Sequence, residues 1–585
     1  MEWNLKLIYE NEELFENDLA SLEDIIKNIE GLKGKLNNKD GFKEYAKYSK
    51  ELDLKLDNLY TYANMNYDLN QKDINSGKRY QRVYTKYMDL ISRLSFVDPE
   101  LLKNKYEDML SWCENDKELK PLTFYVKKLF RGNKHVKTAK IEEIMSRYND
   151  STSGYSNLYD KLLVADGKSV NVTLEDGNVI EVNSGNYTYY LGSLEKQEDR
   201  KKVFEAYYKQ YENHKTTLAA IYKGVIAGEY AESKNRGYKS ILESHLFNNN
   251  IDKKVYLSLI NVAKNNSQGV KRYYNLKKKA LGLRSIHSYD RMVAIAKSNK
   301  EYTFDEAKRL VLEADKELGN EFYKKALEVS SEGRISVLPK EGKTSGAYST
   351  STYDKGAFIL LNHTNDLDSA FTLAHEMGHS IHSLFSNEAQ PIETHSYVIF
   401  VAEVASTFNE ARFLDYMMGV TKDKNERIVL LQQAIEGLIS TFFRQTLFAD
   451  YELQAHELYE KGEVIDDEVL SNIMKSLYKK YYGFDLDKEE LKKYVWAYIP
   501  HMFHTPFYVY QYATSYSASQ ALYLNVKNNV PGAFDKYIEL LKSGGSDYPV
   551  ELLKKAGVDL TTKEPFMAVV KRLDDLVNQL EKELM

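Results

Sequence analysis

Along most of the chain apolar residues recur at intervals of three and four, the spacing of a helix with one buried face. The last segment shows the pattern in full. Phe566, Val569, Val570, Leu573, Leu576, Val577, Leu580 and Leu584 form one stripe, with Lys, Asp and Glu between them and Pro565 at the start. Similar stripes predict helices from about residue 10 to 115, from 195 to 235 and from 425 to 480. Two stretches break the rule. Residues 170–174 and 179–182 flank Glu175, Asp176, Gly177 and Asn178, which predicts a hairpin with an Asp-Gly turn. Residues 335–338 and 357–361 are short apolar runs on either side of a Gly/Ser/Thr/Tyr-rich loop, 342–356, and predict a small sheet directly upstream of a helix. The fold class is therefore mostly α. No fixed-period repeat occurs, which argues against a solenoid. We divide the chain near residue 190, into an N-terminal helical region, 1–190, that carries the hairpin and a second region, 191–585.

Composition supports this picture. Only 29 glycines and 9 prolines among 585 residues leave room for long uninterrupted helices. The 47 tyrosines are expected to be half-buried packing residues with the hydroxyl in water. With 80 Lys+Arg against 86 Asp+Glu the net charge is −6, which excludes a generally basic nucleic-acid or membrane-surface binder. The run Lys277, Lys278 and Lys279 reads as a solvated helix face. Cys113 is the single cysteine, so an intrachain disulfide and a CxxC-type zinc site are both excluded, and a buried thiol is expected. The first residues lack a basic segment followed by an apolar one, and no run of 18 apolar residues occurs. The expectation is a cytoplasmic protein with neither nucleic acid nor membrane as partner. Oligomeric state is not written in the sequence.

Residues 375–379 read His-Glu-Met-Gly-His. Around them Ala370, Leu373, Met377, Ile381 and Leu384 have helical apolar spacing, and Asp368 is a candidate N-cap. Histidines at i and i+4 project from one helix face about 5–6 Å apart, which suits two imidazoles on one Zn²⁺ per chain. Glu376 lies roughly 100° around the helix, beside the metal and not under it. There it can take a proton from the attacking water. Catalytic zinc needs a third protein ligand and an open position. Glu403 is the single charge in the apolar stretch from Tyr397 to Phe408, and metal ligation would compensate its burial. Pairing with an arginine or exposure to solvent is the lesser alternative. Glu410, seven residues on and on the same face, can accept a hydrogen bond from a ligand histidine. His382 and His395 are not taken as ligands. Further along, His501 and His504 sit between prolines and precede Tyr508, Tyr510 and Tyr512. Imidazole and phenol donors can stabilise an oxyanion, and aromatic packing is the alternative for the tyrosines.

The blocks HEMGHSIHSLFS, VAEVASTFNE and IPHMFHTPFYVYQYAT together resemble the M3 zinc metallopeptidases, in particular their oligoendopeptidase F branch. The resemblance spans residues 340 to 525. It implies a two-lobed helical molecule with a deep central channel and the small sheet beside the active-site helix. It implies His375, His379 and Glu403 as zinc ligands and Glu376 as general base. It also implies His501 and one or more of Tyr508, Tyr510 and Tyr512, with Tyr508 the first choice, as stabilisers of the transition state. An edge strand near residues 357–362 would hold an extended peptide by its main chain. Many Glu-liganded zinc peptidases carry Asp four residues beyond the third ligand; this chain has Thr407. The function implied is a zinc-dependent endopeptidase for internal bonds of short unstructured peptides. A peptidyl-dipeptidase of the same architecture is the alternative, and a non-catalytic helical zinc-binding protein is a third reading that an intact Glu376 disfavours.

Overall fold

The computed structural model describes residues 2–298 and 300–585. Helices make up most of it, and among the described residues the strands form one two-stranded and one three-stranded sheet. Two compact units are present, each assembled from three stretches of chain. The first contains Met1–Lys134, Lys300–Gly419 and Leu522–Val558; the second contains His135–Asn299, Val420–Ala521 and Asp559–Met585.

The first unit opens with helices Glu12–Glu30, Lys39–Leu69 and Ile74–Arg93. Each begins where a short polar side chain takes an otherwise unpaired N–H. Asn11 accepts from Leu14 (3.0 Å), Asn38 from Gly41 (3.0 Å) and Asp73 from Ser76 (3.1 Å). Their apolar faces share one core with Phe358 and Leu360 of the small sheet. The Trp3 indole N–H ties the chain's start to that sheet through the Ile359 carbonyl, at 2.8 Å.

In this sheet β5 (Gly356–Leu360) lies between β3 (Ile335–Ser336), parallel to it, and β4 (Tyr348–Thr352), antiparallel. Tyr348 stands opposite Leu360, and Thr352 opposite Gly356. Two expectations change. β4 falls inside the segment read as a loop, because Tyr-Ser-Thr-Ser-Thr has no apolar alternation. Its first four residues are half-buried, so no face demanded an apolar set. Moreover β5 is flanked on both sides, so its backbone groups are used, and β3 and β4 are the edge strands. The helix that follows, Leu367–Ala389, is capped by Asp366, which accepts from the Ser369 N–H at 2.7 Å; Asp368 lies inside the first turn.

The second unit contains the predicted hairpin. β1 (Val170–Thr173) pairs antiparallel with β2 (Val179–Val182), and Gly177 takes φ +87° at the turn. The C-terminal helix, Glu564–Leu584, buries every residue of its predicted stripe except the half-buried Leu584. It packs on helices Lys424–Leu438 and Gln268–Ala280. Lys277 departs from expectation. It lies four residues after buried Tyr273, on the inward face of its helix, and donates to Glu436 (2.6 Å) and to the Arg291 carbonyl (2.5 Å). Several tyrosines, among them Tyr208, Tyr222, Tyr256 and Tyr451, are fully buried and have no wet hydroxyl. Cys113 is a buried free thiol. Among the described residues no helix is long and apolar enough to cross a membrane.

Candidate metal centre

The centre lies in the first unit, where the HExxH helix (Leu367–Ala389) meets the helix that carries Glu403 (Ile399–Val420). Gly378 explains how closely the two approach. A Cβ there would lie 2.7 Å from both the Ala405 carbonyl oxygen and the Ser406 Cα, so a larger residue would push the helices apart. Asn409 fixes the contact by donating to the Ala374 carbonyl at 2.8 Å.

At this crossing the Nε2 atoms of His375 and His379 are 3.2 Å apart. Glu403 Oε2 lies 3.5 Å from the first and 3.7 Å from the second. Donors bound at 2.0–2.2 Å around a tetrahedral ion are separated by about 3.3–3.5 Å, so the three atoms already have the spacing of one metal's ligands. Among the described residues no other group of His, Cys, Asp or Glu side chains converges in this way.

The surrounding hydrogen bonds point the lone pairs inward. Glu410 accepts from His375 Nδ1, which leaves the Nε2 lone pair facing the cluster. The Ala402 carbonyl accepts from the His379 ring. Ser406 donates its hydroxyl to Glu403 Oε2 at 3.2 Å. Thr407 turns its own hydroxyl onto the Glu403 carbonyl at 2.6 Å and so orients no ligand; Glu410 supplies that support instead.

Without a cation, two nitrogen lone pairs and a carboxylate oxygen repel one another, and a proton must stand in. Burial works against a charge on His375, but the Glu410 carboxylate beside it and hydrogen bonds to Glu403 and Glu410 hold its pKa well above the usual value. Burial, reinforced by the His375 charge, lowers His379 to about 4. Burial would raise Glu403, yet the His375 hydrogen bond and the His379 and His375 charges bring it to about 2. The donor set therefore fits a divalent cation, which would replace that proton.

Glu376 is buried beside the cluster without joining it. Its carboxylate accepts from the Ser349 N–H of β4, and Ser349 Oγ lies 2.8 Å from Ser380 Oγ. Burial, opposed by the His375 charge and reinforced by Glu403 and Glu410, raises its pKa to about 7. His382 is fully buried, stacked on Tyr397 with ring centroids 3.7 Å apart, and takes no part. His395 shares a hydrogen bond with Asn387 at 2.8 Å and is not in the cluster.

His501 and the tyrosines belong to the second unit. His501 is exposed, and its ring centroid lies 6.2 Å from that of Tyr508 and 6.4 Å from that of Tyr512. Tyr508 and Tyr512 are 5.6 Å apart. Tyr510 is buried elsewhere, 5.0 Å from Tyr256. The structure thus groups His501 with Tyr508 and Tyr512 and leaves Tyr510 in the core. Gly378, Asn409 and Ser349 escaped the sequence reading. The glycine inside the HExxH motif was the one available signal, since a helix interior tolerates glycine at a cost and a close approach repays it.

The family model for peptidase family M3 matches residues 190–571, and a model described as oligopeptidase F matches residues 100–168. The chain belongs to peptidase family M3. Oligopeptidase PepF of Bacillus subtilis (strain 168) is 34% identical over 591 residues, covering 100% of this chain and 87% of that protein. Group B oligopeptidase PepB of Streptococcus agalactiae is 31% identical, covering 99% and 96%. Among solved structures, oligoendopeptidase-F from Enterococcus faecium superposes with a TM-score of 0.74 at 28% identity, covering 98% of this chain and 99% of that one. This M3 chain is therefore a metal-dependent peptidase of the oligoendopeptidase F branch, mostly α, with a small sheet beside the active-site helix.

Proposed function

We propose that the protein is a zinc endopeptidase that hydrolyses internal bonds of short unstructured peptides. The observation that carries this reading is the convergence of His375, His379 and Glu403, with buried Glu376 beside them and outside the ligand set. Two imidazoles and one carboxylate suit zinc, and an open position is what separates a catalytic site from a structural one. A bound zinc ion polarises the scissile carbonyl and acidifies water. His375, His379 and Glu403 would hold it.

The remaining chemistry belongs to the chain. Glu376 takes the proton of the attacking water and returns it to the leaving amine. Its pKa near 7 in the metal-free chain falls once a cation neutralises Glu403, so the carboxylate is ionised at neutral pH. The Ser349 N–H fixes which way it points. Because that N–H points away from β5, the same edge of β4 offers main-chain groups to an extended peptide, which grips backbone and not particular side chains. His501 and Tyr508 act as donors to the developing oxyanion, a role supported by their grouping with each other. The family match from residue 190 supports assigning the catalytic machinery to residues 191–585. The relatives' names, oligopeptidase and oligoendopeptidase, support short peptides as substrates. We place the protein in the cytoplasm, where its one cysteine stays a thiol.

The test uses purified protein, elemental analysis and mass spectrometry. One zinc per chain is expected, with occupancy falling sharply in Glu403→Ala. A short peptide acetylated at its start and amidated at its end should be cut at internal bonds. Release of C-terminal dipeptides alone, and only from peptides with a free C-terminus, would mark a peptidyl-dipeptidase and overturn the endopeptidase reading.

A further inference from the structure

The second unit contains a cavity of ≈ 40 Å³ with three basic side chains in its lining. Arg291, Arg444 and Lys492 all line it. Lys492 is 8% exposed, and its ammonium donates to the Tyr208 hydroxyl at 2.7 Å. Arg444 lies 4.9 Å from the Phe448 ring and hydrogen-bonds the Tyr478 hydroxyl. Among the described residues no carboxylate pairs with any of the three. The acids whose charge reaches them are engaged elsewhere. Glu436 accepts from Lys277 at 2.6 Å, and Glu489 accepts from the Ser288 N–H at 2.9 Å and pairs with His287 at 3.0 Å.

Two hydroxyls in the same lining have no hydrogen-bond partner: those of Ser288, 8% exposed, and Tyr482, 4% exposed. Three basic side chains with no paired carboxylate and two hydroxyls with no partner, all in the lining of one small space, are unfavourable in a low-dielectric interior. One negative ion would satisfy all of them. We propose that this cavity binds a small monovalent inorganic anion of chloride size, held by Arg291, Arg444 and Lys492 and by the hydroxyls of Ser288 and Tyr482. The volume sets the size class. A water needs about 10–15 Å³ on this measure, so the space suits a halide with one or two waters. The state of Lys492 agrees. Burial, then the Arg444 and Arg291 charges, push its pKa well below the ordinary lysine value, and an anion would offset both charges.

Bromide is the probe. Crystals of the full chain grown without halide and soaked in sodium bromide should show an anomalous peak touching Arg291 and Arg444. An empty cavity in that map overturns the proposal, as does a cavity filled by sulfate in preference to bromide. In solution, exchanging sodium gluconate for sodium chloride at constant ionic strength should raise Tm saturably, on the order of 2–4 °C. Arg444→Met and Lys492→Met should abolish the saturable rise. An identical response in wild type and both variants counts against the site. Should neither variant fold, the bromide map on the unaltered chain decides alone.

Discussion

The two regions of this M3 peptidase to which we assign its chemistry are built on opposite plans. In the metal centre every side chain springs from regular helix. His375, Glu376 and His379 take their directions from one helical repeat, and Glu403 and Glu410 from another. In the segment that holds His501, Tyr508 and Tyr512 the backbone is irregular. A four-residue helix, His501–His504, ends in a turn, and Phe507 sits at φ +55°, a left-handed conformation that a bulky residue adopts only under constraint. The constraint is visible. The Phe507 N–H is held by buried Glu452 at 2.9 Å, and its ring lies 4.6 Å from that of His456 and 5.2 Å from that of His245. Helical placement tolerates change around it, because the repeat itself sets the direction. Placement by a strained turn depends on each tertiary contact.

The largest effect is expected where this contrast is sharpest, at Glu376. On the roles proposed, Glu376→Gln removes the base and leaves the helix and all three ligands in place. Hydrolysis should fall by roughly 10²–10⁴-fold while zinc content stays unchanged. Parallel loss of metal would show that Glu376 is itself a ligand and that the helical geometry does not separate the two roles.

The second effect falls on the irregular segment. Tyr508→Phe should lower kcat by about 10²-fold with little change in KM, since a donor to the developing oxyanion acts in the transition state. Tyr510→Phe should leave kcat nearly unchanged, because that ring is buried against Tyr256. A reversal of these two results would place the turn differently from the structure described above.

These expectations track what the sequence could and could not disclose. His375 and His379 were legible because helical spacing places them on one face, Glu403 because it is the single charge in an apolar stretch that resembles the M3 block, and Glu410 because it follows on the same face seven residues later. The choice among Tyr508, Tyr510 and Tyr512 was not. Alternation by two suggests one common face, but helix Tyr510–Lys527 begins inside the run, and the left-handed turn at Phe507 resets the direction just before it. β4 was hidden for another reason. A half-buried strand of Tyr, Ser and Thr carries no apolar signal, although it holds Glu376 in place. Lys277 was misread because a lysine run looks solvated until a distant acid, Glu436, is brought to it by folding. Local periodicity writes itself into sequence; partners supplied from far along the chain do not.

A smaller effect should appear at Glu410. Glu410→Gln keeps an acceptor for His375 Nδ1 and removes the charge, so metal affinity should weaken by about 10–100-fold, read by chelator competition. The pH profile sharpens the point. As the proposed base Glu376 must be ionised to act, so kcat/KM should fall as pH drops through its pKa. The negative charge of Glu410 is among the causes that raise this pKa. At saturating metal the variant's acid limb should therefore move to lower pH. A limb that moves up, or stays fixed, would show that Glu410 is not electrostatically coupled to the base.

The smallest effect on activity should come from Glu452→Gln, and its meaning lies in the pH dependence of stability. Burial raises the Glu452 carboxyl from 4.5 to about 8, so the folded chain carries it protonated at neutral pH. Glutamine copies that neutral form and keeps an oxygen for the Phe507 N–H, so kcat at pH 7 should change by less than about threefold. In wild type the unfolded chain loses this proton near pH 4.5 while the folded chain keeps it until about pH 8. Between those values the unfolded state binds fewer protons, and the stability contributed by the protonated group falls as pH rises. The glutamine variant lacks this slope. Its Tm should match wild type below pH 4.5 and exceed it increasingly toward pH 8. A constant Tm difference across that range would mean that Glu452 is ionised in the folded chain, and the turn carrying Tyr508 would then be held by a charge and not by a neutral acid.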